Sequence, residues 1–437
     1  MIDISHIDVK INGMDGLEKK YLPRIIDATI GQYLEIFGAV LITGPKWCGK
    51  TTTARQHAKS NLFMQDMADQ EADISLADLK PSLLLEGDNP RLIDEWQMLP
   101  KIWDAVRHSV DMRGETGLYI LTGSTSVDEK TIKHSGAGRI ARLIMHTLSL
   151  YESNDSSGAV SLELLFNEKP NVSAVCSLDV EDYARFIVRG GWPGTIDKSD
   201  SSARLQIAEY CETIVRSDIK TVDGVKRDAQ KVRALLRSYA RHVGTSATLK
   251  TLQADVAVSD ESLHINTIPQ YLDALGRLYV ISDVPAWNPR LRSKSTVRTS
   301  SVRHFIDPAL AATFLHANAR DILFDIKTFG FLFESLSIRD LRVYAQRLGG
   351  EILHYLDSSG LEADAVIHLR DGRWAAVEVK LGAKQVDQAA ENLLRLKSSV
   401  NTDKMNEPEF LMIITGSKYA YKREDGVYVV PLGLLGP

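Results

Sequence analysis

Residues Gly44-Pro45-Lys46-Trp47-Cys48-Gly49-Lys50-Thr51-Thr52 fit the pattern G-x-x-x-x-G-K-[ST] at every fixed position. Such a segment can cradle a polyphosphate. Glycines let main-chain N–H groups curl around a β-phosphate, and the helix that follows adds its positive end. Lys50 reaches β- and γ-oxygens and Thr51 can bind Mg²⁺. ATP and Mg²⁺ are the expected ligands, with all nine residues at the phosphates. Cys48 reads as a small residue at a variable position, with redox gating as the alternative. Forty-three residues after Thr51, the run Arg91-Leu92-Ile93 closes on Asp94-Glu95. An apolar strand ending in two acids suits hydrolysis: Asp94 orders the Mg²⁺ and Glu95 polarises the attacking water. Tyr119-Ile120-Leu121-Thr122-Gly123-Ser124 is a further strand ending in small polar residues, where Thr122 and Ser124 are expected to sense the γ-phosphate or place water. A cation on that phosphate is also needed. Arg139, with Arg142 behind it, is the expected source.

A second group of chemistry-bearing residues lies near the C-terminus. Ala375-Ala376-Val377-Glu378-Val379-Lys380 puts Glu378 and Lys380 on one face of a strand. Asp364 stands fourteen residues earlier on a preceding strand, and Glu334 further back on a helix. Asp364 and Glu378 can hold Mg²⁺ while Lys380 orients or activates water. Glu362 competes with Asp364, because both fall on the same strand face.

The elements that must position these residues follow from the apolar patterning. The first 160 residues alternate short apolar runs with helical stretches, the rhythm of a parallel sheet covered by helices. Strands are expected at 39–43, 92–94, 119–122 and 143–148, buried on both faces. A loop composition at 154–175 marks an inter-domain connection. Helical patterns run from Glu181 to Ile219, interrupted by Gly190-Gly191-Trp192-Pro193-Gly194. Three helix-length periodicities between Ala229 and Tyr279, followed by a strand pair, outline a winged helix-turn-helix. The stretch Val284–Ile306 carries Arg290, Arg292, Lys294, Arg298 and Arg303 and no acid. Five phosphate contacts to DNA would give a salt slope of roughly −4.5. The alternative is a module that packs against protein only.

The four motifs GPKWCGKTTT, LIDEWQ, LTGS and HSGAGRIARL, together with FIVRGGWPG and VRTSSVRHFIDPALAATFL, resemble those of prokaryotic AAA-type ATPases whose C-terminal half is a domain of unknown function. The resemblance runs from about Tyr21 to about Leu396. It implies a P-loop sheet of the additional-strand type with Glu95 as catalytic acid. The C-terminal pattern resembles the PD-(D/E)xK restriction-endonuclease-like fold. That resemblance implies Asp364 and Glu378 as metal ligands, Lys380 as general catalyst, Glu334 as accessory acid and Gln388 as a weaker candidate. Here Ala363 replaces the proline of the name pattern.

The expected architecture is therefore α/β and multidomain: an ATPase domain at 1–155, a helical connector at 176–225, a winged-helix module at 226–310 and a nuclease-like domain at 320–437. Residue counts exclude other classes. With 52 basic and 57 acidic residues the net charge is −5, so any polyanion contact must be local. Three scattered cysteines cannot make a disulfide framework and fit a reducing cytoplasm. No apolar run is long enough to span a membrane. Ring-forming relatives make a homo-oligomer the expected assembly. Three functions compete: an ATP-driven machine acting on nucleic acid, a nucleotide-dependent switch with a docking module in place of a nuclease, and phosphoryl transfer to a small acceptor. The Asp94-Glu95 pair disfavours the third.

Overall fold

The computed structural model describes residues 21–65, 79–125, 134–257, 263–288, 300–400 and 405–437. The chain divides into two compact units. The first takes the described residues before 43, between 49 and 123 and between 134 and 143, and the second the described residues of 43–48, 124–125 and 144–437.

In the first unit, helix α1 (Ile26–Ile36) leads into strand β1 (Ala39–Thr43), and helix α2 starts at Lys50 and ends at His57. Strands β2 (Ser60–Phe63), β3 (Arg91–Asp94), β4 (Tyr119–Gly123) and β5 (Ile140–Ile144) complete one sheet in the order β2-β3-β4-β1-β5. β2, β3 and β4 run parallel. All five residues of β1 and all five of β4 are buried, which explains their unbroken apolar text. Each buried Val, Leu or Ile contributes about 1.5–3 kcal/mol. Helix α3 (Lys101–Arg113) lays Ile102, Trp103, Val106 and Val110 inward, at helical spacing, and closes on Gly114 in the left-handed region. Gly38 is required where α3 crosses the chain, because a Cβ there would come within 2.3 Å of Val110. β5 departs from expectation. It begins three residues earlier than 143–148 and alternates buried and exposed residues, with Arg142 and Ile144 outward, because it forms the edge of the sheet. The apolar residues Met145 and Leu148 are buried without strand structure.

In the second unit, the stretch read as a linker is woven into structure. β6 (Val160–Ser161) pairs with β14 (Leu435–Gly436), and β7 (Ser173–Val175) pairs with β12 (Tyr419–Lys422). Helix α4 (Val180–Arg189) opens on a capping box between Asp179 and Asp182, and α5 (Asp200–Thr213) passes into one π-helical turn, Ile214–Asp218. Three helices follow: α6 (Ala229–Arg241), α7 (Leu249–Ala257) and α8 (Ile268–Arg277). The expected strand pair after them is reduced to isolated antiparallel bridges, Ile281 with Phe305 and Val284 with Val302.

Helix α9 (Pro308–Phe314) and the long helix α10 (Ile326–Arg347) precede strands β8 (Gly350–Leu356), β9 (Glu362–Leu369) and β10 (Trp374–Lys380). Helix α11 (Val386–Ser399), β11 (Leu411–Thr415) and β13 (Tyr428–Pro431) complete a seven-stranded sheet, β7-β12-β13-β11-β10-β9-β8. β8, β9 and β10 are antiparallel neighbours, while β11 runs parallel to β10. Its core is filled by Trp374, Ala376, Leu393, Leu396, Ile413 and Val429. A buried ionic knot ties α10 to the start of this unit. Arg339 contacts Asp307 and Asp340, Thr147 donates to Asp307, and the main-chain N–H of Leu150 donates to Asp340. Among the described residues no helix is long and apolar enough to cross a membrane.

Candidate functional site

The first-unit site is built where β3 and β4 end. Asp94 accepts from two hydroxyls at one oxygen, Thr51 Oγ1 at 2.7 Å and Thr122 Oγ1 at 2.6 Å. Thr51 sits on the first turn of α2, and Gly49, which caps that helix, has φ 102°, a conformation that suits glycine. Lys50 is buried. Thr122 Oγ1 also accepts from the Glu95 main-chain N–H at 3.1 Å, so its hydroxyl aligns both acids. Thr122, expected to sense the γ-phosphate or place water, holds Asp94 here. Glu95 is left-handed (φ 54°, ψ 47°), and its carboxylate accepts from Gln97 Nε2. These oxygen donors suit Mg²⁺, with Thr51 and Asp94 as the residues that would hold it.

Arg139 lies elsewhere. The Ala39 N–H donates to Arg139 O, so Arg139 flanks the first residue of β1, whereas the phosphate loop follows its last. Four strand rises, about 13 Å, separate the two ends. Arg139 is engaged with Asp111 at 2.6 Å, and Arg142 covers the Trp103 ring.

The loop's first half belongs to the second unit, where five contacts hold it. Lys46 Nζ pairs with Asp218 Oδ1 at 2.7 Å, and Trp192 Nε1 donates to the Lys46 carbonyl at 3.1 Å. Trp47 lies against Gly194, where a Cβ would approach the indole to 2.3 Å. Cys48 Sγ donates to Met145 O, and Gly44 passes so close to that carbonyl that a Cβ would reach it at 2.1 Å. Cys48 is fully buried, which fits its reading as a small packing residue. Ser124 is buried beyond β4. Asp218 and Trp192 carry no signal in sequence that would attach them to the loop. Pro45 and Thr52 keep their places in the loop and helix.

The C-terminal residues converge in the second unit. Lys380 Nζ lies 3.2 Å from Asp364 Oδ2 and 2.5 Å from Glu378 Oε2, and the Val379 N–H donates to Asp364 at 2.7 Å. Asp364 and Glu362, the competing acids, differ in position. Asp364 touches Lys380 directly, while Glu362 is exposed at the strand's start. Glu378 is fully buried, and neither of its oxygens receives a well-oriented hydrogen bond. Burial, then the charge of Asp364, pushes its carboxyl up to about 8. Glu334 is pushed up by burial and then by Asp364, which places it in the same electrostatic cluster. Among the described residues no three His, Cys, Asp or Glu side chains are gathered as a metal cage. The ammonium of Lys380 instead lies between the two acids expected to be ligands. Gln388 is exposed on α11 and hydrogen-bonds only its own helix, to Glu391 and Asn392.

Of the expected basic stretch, Arg290, Arg292, Lys294 and Arg298 lie outside the described residues. Arg303 is partly buried, pairs with Asp283 at 2.5 Å and lies over the Tyr239 ring. Its acid stands one residue before the acid-free stretch that begins at Val284.

Residues 37–154 match the model of an AAA domain. This stretch is a P-loop domain of the AAA type. Residues 180–321 match a domain of unknown function, DUF8612, and residues 329–435 match another, DUF4143. Uncharacterized proteins of Mycobacterium bovis and Mycobacterium tuberculosis are each 25% identical over 252 residues, 57% of this chain and 50% of theirs. The chain thus spans about half the length of these curated relatives. Among solved structures, the Walker-type ATPase of Pyrococcus abyssi aligns over 66% of this chain and 94% of its own at 14% identity, with a TM-score of 0.40. A Pyrococcus horikoshii STAND protein with a tetratricopeptide repeat sensor covers 74% of this chain and 48% of its own at 11% identity, with a TM-score of 0.21. With TM-scores below one half, these likenesses decide nothing about function. In the AAA domain, β4 stands between the loop-bearing β1 and the acid-bearing β3, as an additional-strand sheet requires.

Proposed function

We propose that this chain hydrolyses ATP at the AAA domain and couples that turnover to a C-terminal half that binds DNA and cleaves it with a divalent cation. The observation that carries the first part is the Thr51–Asp94–Thr122 contact. A loop threonine and a strand acid already stand within hydrogen-bond distance, with Glu95 next in the chain. When bound, Mg²⁺ would neutralise phosphate charge. The chain's own residues would do the rest: Lys50 binds the phosphates, Thr51 and Asp94 hold the cation, and Glu95 takes a proton from the attacking water. Release of Glu95 from Gln97 would precede that step. Lys50→Ala is expected to lose nucleotide binding, measured with a fluorescent ATP analogue. Glu95→Gln is expected to bind without turnover. Undiminished hydrolysis by Glu95→Gln would sink the assignment.

For the second part, the order α10-β8-β9-β10-α11-β11, with a parallel β11 beside β10, supports the restriction-endonuclease-like reading. So does the meeting of Asp364, Glu378 and Lys380. Asp364 and Glu378 would hold the cation, Glu334 would support them and Lys380 would orient water. The three helices α6 to α8 with their paired bridges support a winged-helix reading of 226–310. A second reading is favoured by Lys380, which contacts both acids: a nuclease-like fold retained as a docking module, with its acids closed into ion pairs. Metal-dependent cutting of single-stranded, duplex or branched DNA by the parent, lost in Asp364→Ala and Lys380→Ala, separates the two.

A further inference from the structure

Within the second unit, Lys46 of the phosphate loop is held at both ends. Its Nζ pairs with Asp218 Oδ1 at 2.7 Å, and its carbonyl accepts from Trp192 Nε1 at 3.1 Å. Both partners are fixed by the fold. Asp218 has only 8% of its side chain exposed and is the last residue of the π-helical turn Ile214–Asp218. Such turns are rare and cluster at functional sites. This one delivers its acid to the loop. Trp192 is fully buried, its ring stands 5.2 Å from that of Tyr210 on α5, and its carbonyl accepts from the Thr195 N–H and hydroxyl. Gly191, the residue before it, donates its N–H to Asp307 at 3.0 Å and accepts at its carbonyl from the Leu148 N–H at 2.6 Å. The loop held by these partners is strained. Trp47 has φ 67°, a left-handed conformation that is uncommon and costly outside glycine, and its indole packs on Gly194. Strain of this kind persists only where the surroundings over-determine it. The residues that do so here, Trp192, Gly194 and Asp218, all lie in the stretch 180–321 matched to a domain of unknown function.

We propose that this stretch has a task at the nucleotide: Trp192 and Asp218 are positioning residues that preset the phosphate loop, through Lys46, in the conformation that takes a triphosphate. The proposal rests on the ATP reading of the loop. A free loop must be ordered when its N–H groups close on phosphate oxygens, and every residue fixed at that moment weakens binding. Tying Lys46 by its carbonyl and by its ammonium orders the middle of the loop beforehand, and Gly49-Lys50-Thr51 follow three residues on. These holds act on the loop and not on the reacting phosphate. Their loss therefore raises KM and leaves kcat in place.

The test is ATP binding and steady-state hydrolysis by the full chain, with binding read from a fluorescent ATP analogue and turnover from phosphate release. Trp192→Phe keeps a ring beside Tyr210 and removes the Nε1 donor, so Kd and KM are expected to rise about 3–10-fold with kcat within about twofold of the parent. Asp218→Asn keeps an acceptor for Lys46 and removes the charge, and a rise of about 10-fold in the same two quantities is expected. Lys46→Arg, which can still pair with Asp218, should stay within about 3-fold of the parent. In a Lys46→Met chain, Asp218→Asn should add no further loss, because Asp218 acts through that ammonium. Folded Trp192→Phe and Asp218→Asn chains that bind the analogue like the parent overturn the positioning role. So does a fall in kcat with KM unchanged, and so does an Asp218→Asn loss as large beside Lys46→Met as beside Lys46. No binding by the parent, or binding by Lys50→Ala at the parent's level, overturns the ATP reading itself, and the positioning role falls with it.

Discussion

At the end of β3, Asp94 accepts hydrogen bonds from two neutral hydroxyls, whereas on β10 Glu378 lies beside a lysine ammonium and receives no oriented donor. Both are buried carboxylates. Their surroundings set different conditions for a cation. Around Asp94 a cation meets oxygen donors that can turn toward it, so Thr51 and Asp94 are prepared for Mg²⁺. Around Glu378 an incoming cation has to share the acids with Lys380. Burial and the charge of Asp364 push the Glu378 carboxyl up, against the pull of Lys380. One site is assembled ahead of its ligand and the other is held shut by its own countercharge.

That contrast can be broken at four places. The largest effect is expected for Lys50→Ala, which should lower ATP turnover by at least about 10²-fold, because it removes the cation that meets the phosphates. Steady-state phosphate release checks it, and turnover within twofold of the parent would end the comparison. Asp364→Ala should reduce metal-dependent DNA cleavage by about 10²-fold while leaving ATP turnover within about twofold, measured on the same preparation. A parallel fall in both activities would mean that the acids act through the fold. Thr122→Val removes the hydroxyl that joins Asp94 to Glu95. A hydrogen bond to a charged group contributes about 1.5–3 kcal/mol, so turnover should fall about 10-fold or more with nucleotide binding retained. Arg139→Ala should be the mildest, less than about twofold in dilute protein, since the residue flanks the far end of β1. A steep loss that appears only at high protein concentration would instead assign Arg139 to a neighbouring subunit.

The nucleotide site was readable because its parts are contiguous. Nine residues carry the loop, and an apolar strand delivers Asp94 and Glu95 together, so the motif and the element that presents it occupy the same few letters. β1 was readable to the residue because it is buried on both faces. β5 was misplaced because an edge strand alternates, and the unbroken apolar text after it is buried coil. The C-terminal trio was legible as a spacing, but the choice of Asp364 over Glu362 was not. Both share a strand face, and only the reach of Lys380 separates them. Asp218 and Trp192 meet Lys46 across more than 140 residues of chain, and no local pattern encodes such a contact. Arg303 shows the converse. The stretch from Val284 holds no acid, yet Asp283, one residue before it, pairs with Arg303 at 2.5 Å.

The central claim is that Glu95, presented by β3 beside an Asp94 already bound to Thr51, activates the water that attacks ATP. Steady-state ATP hydrolysis by purified parent and Glu95→Gln chains, each with and without DNA, tests it most directly. The account predicts turnover by the parent and a loss of at least about 10²-fold in Glu95→Gln, with bound ATP retained. Hydrolysis by Glu95→Gln at the parent's rate would contradict it.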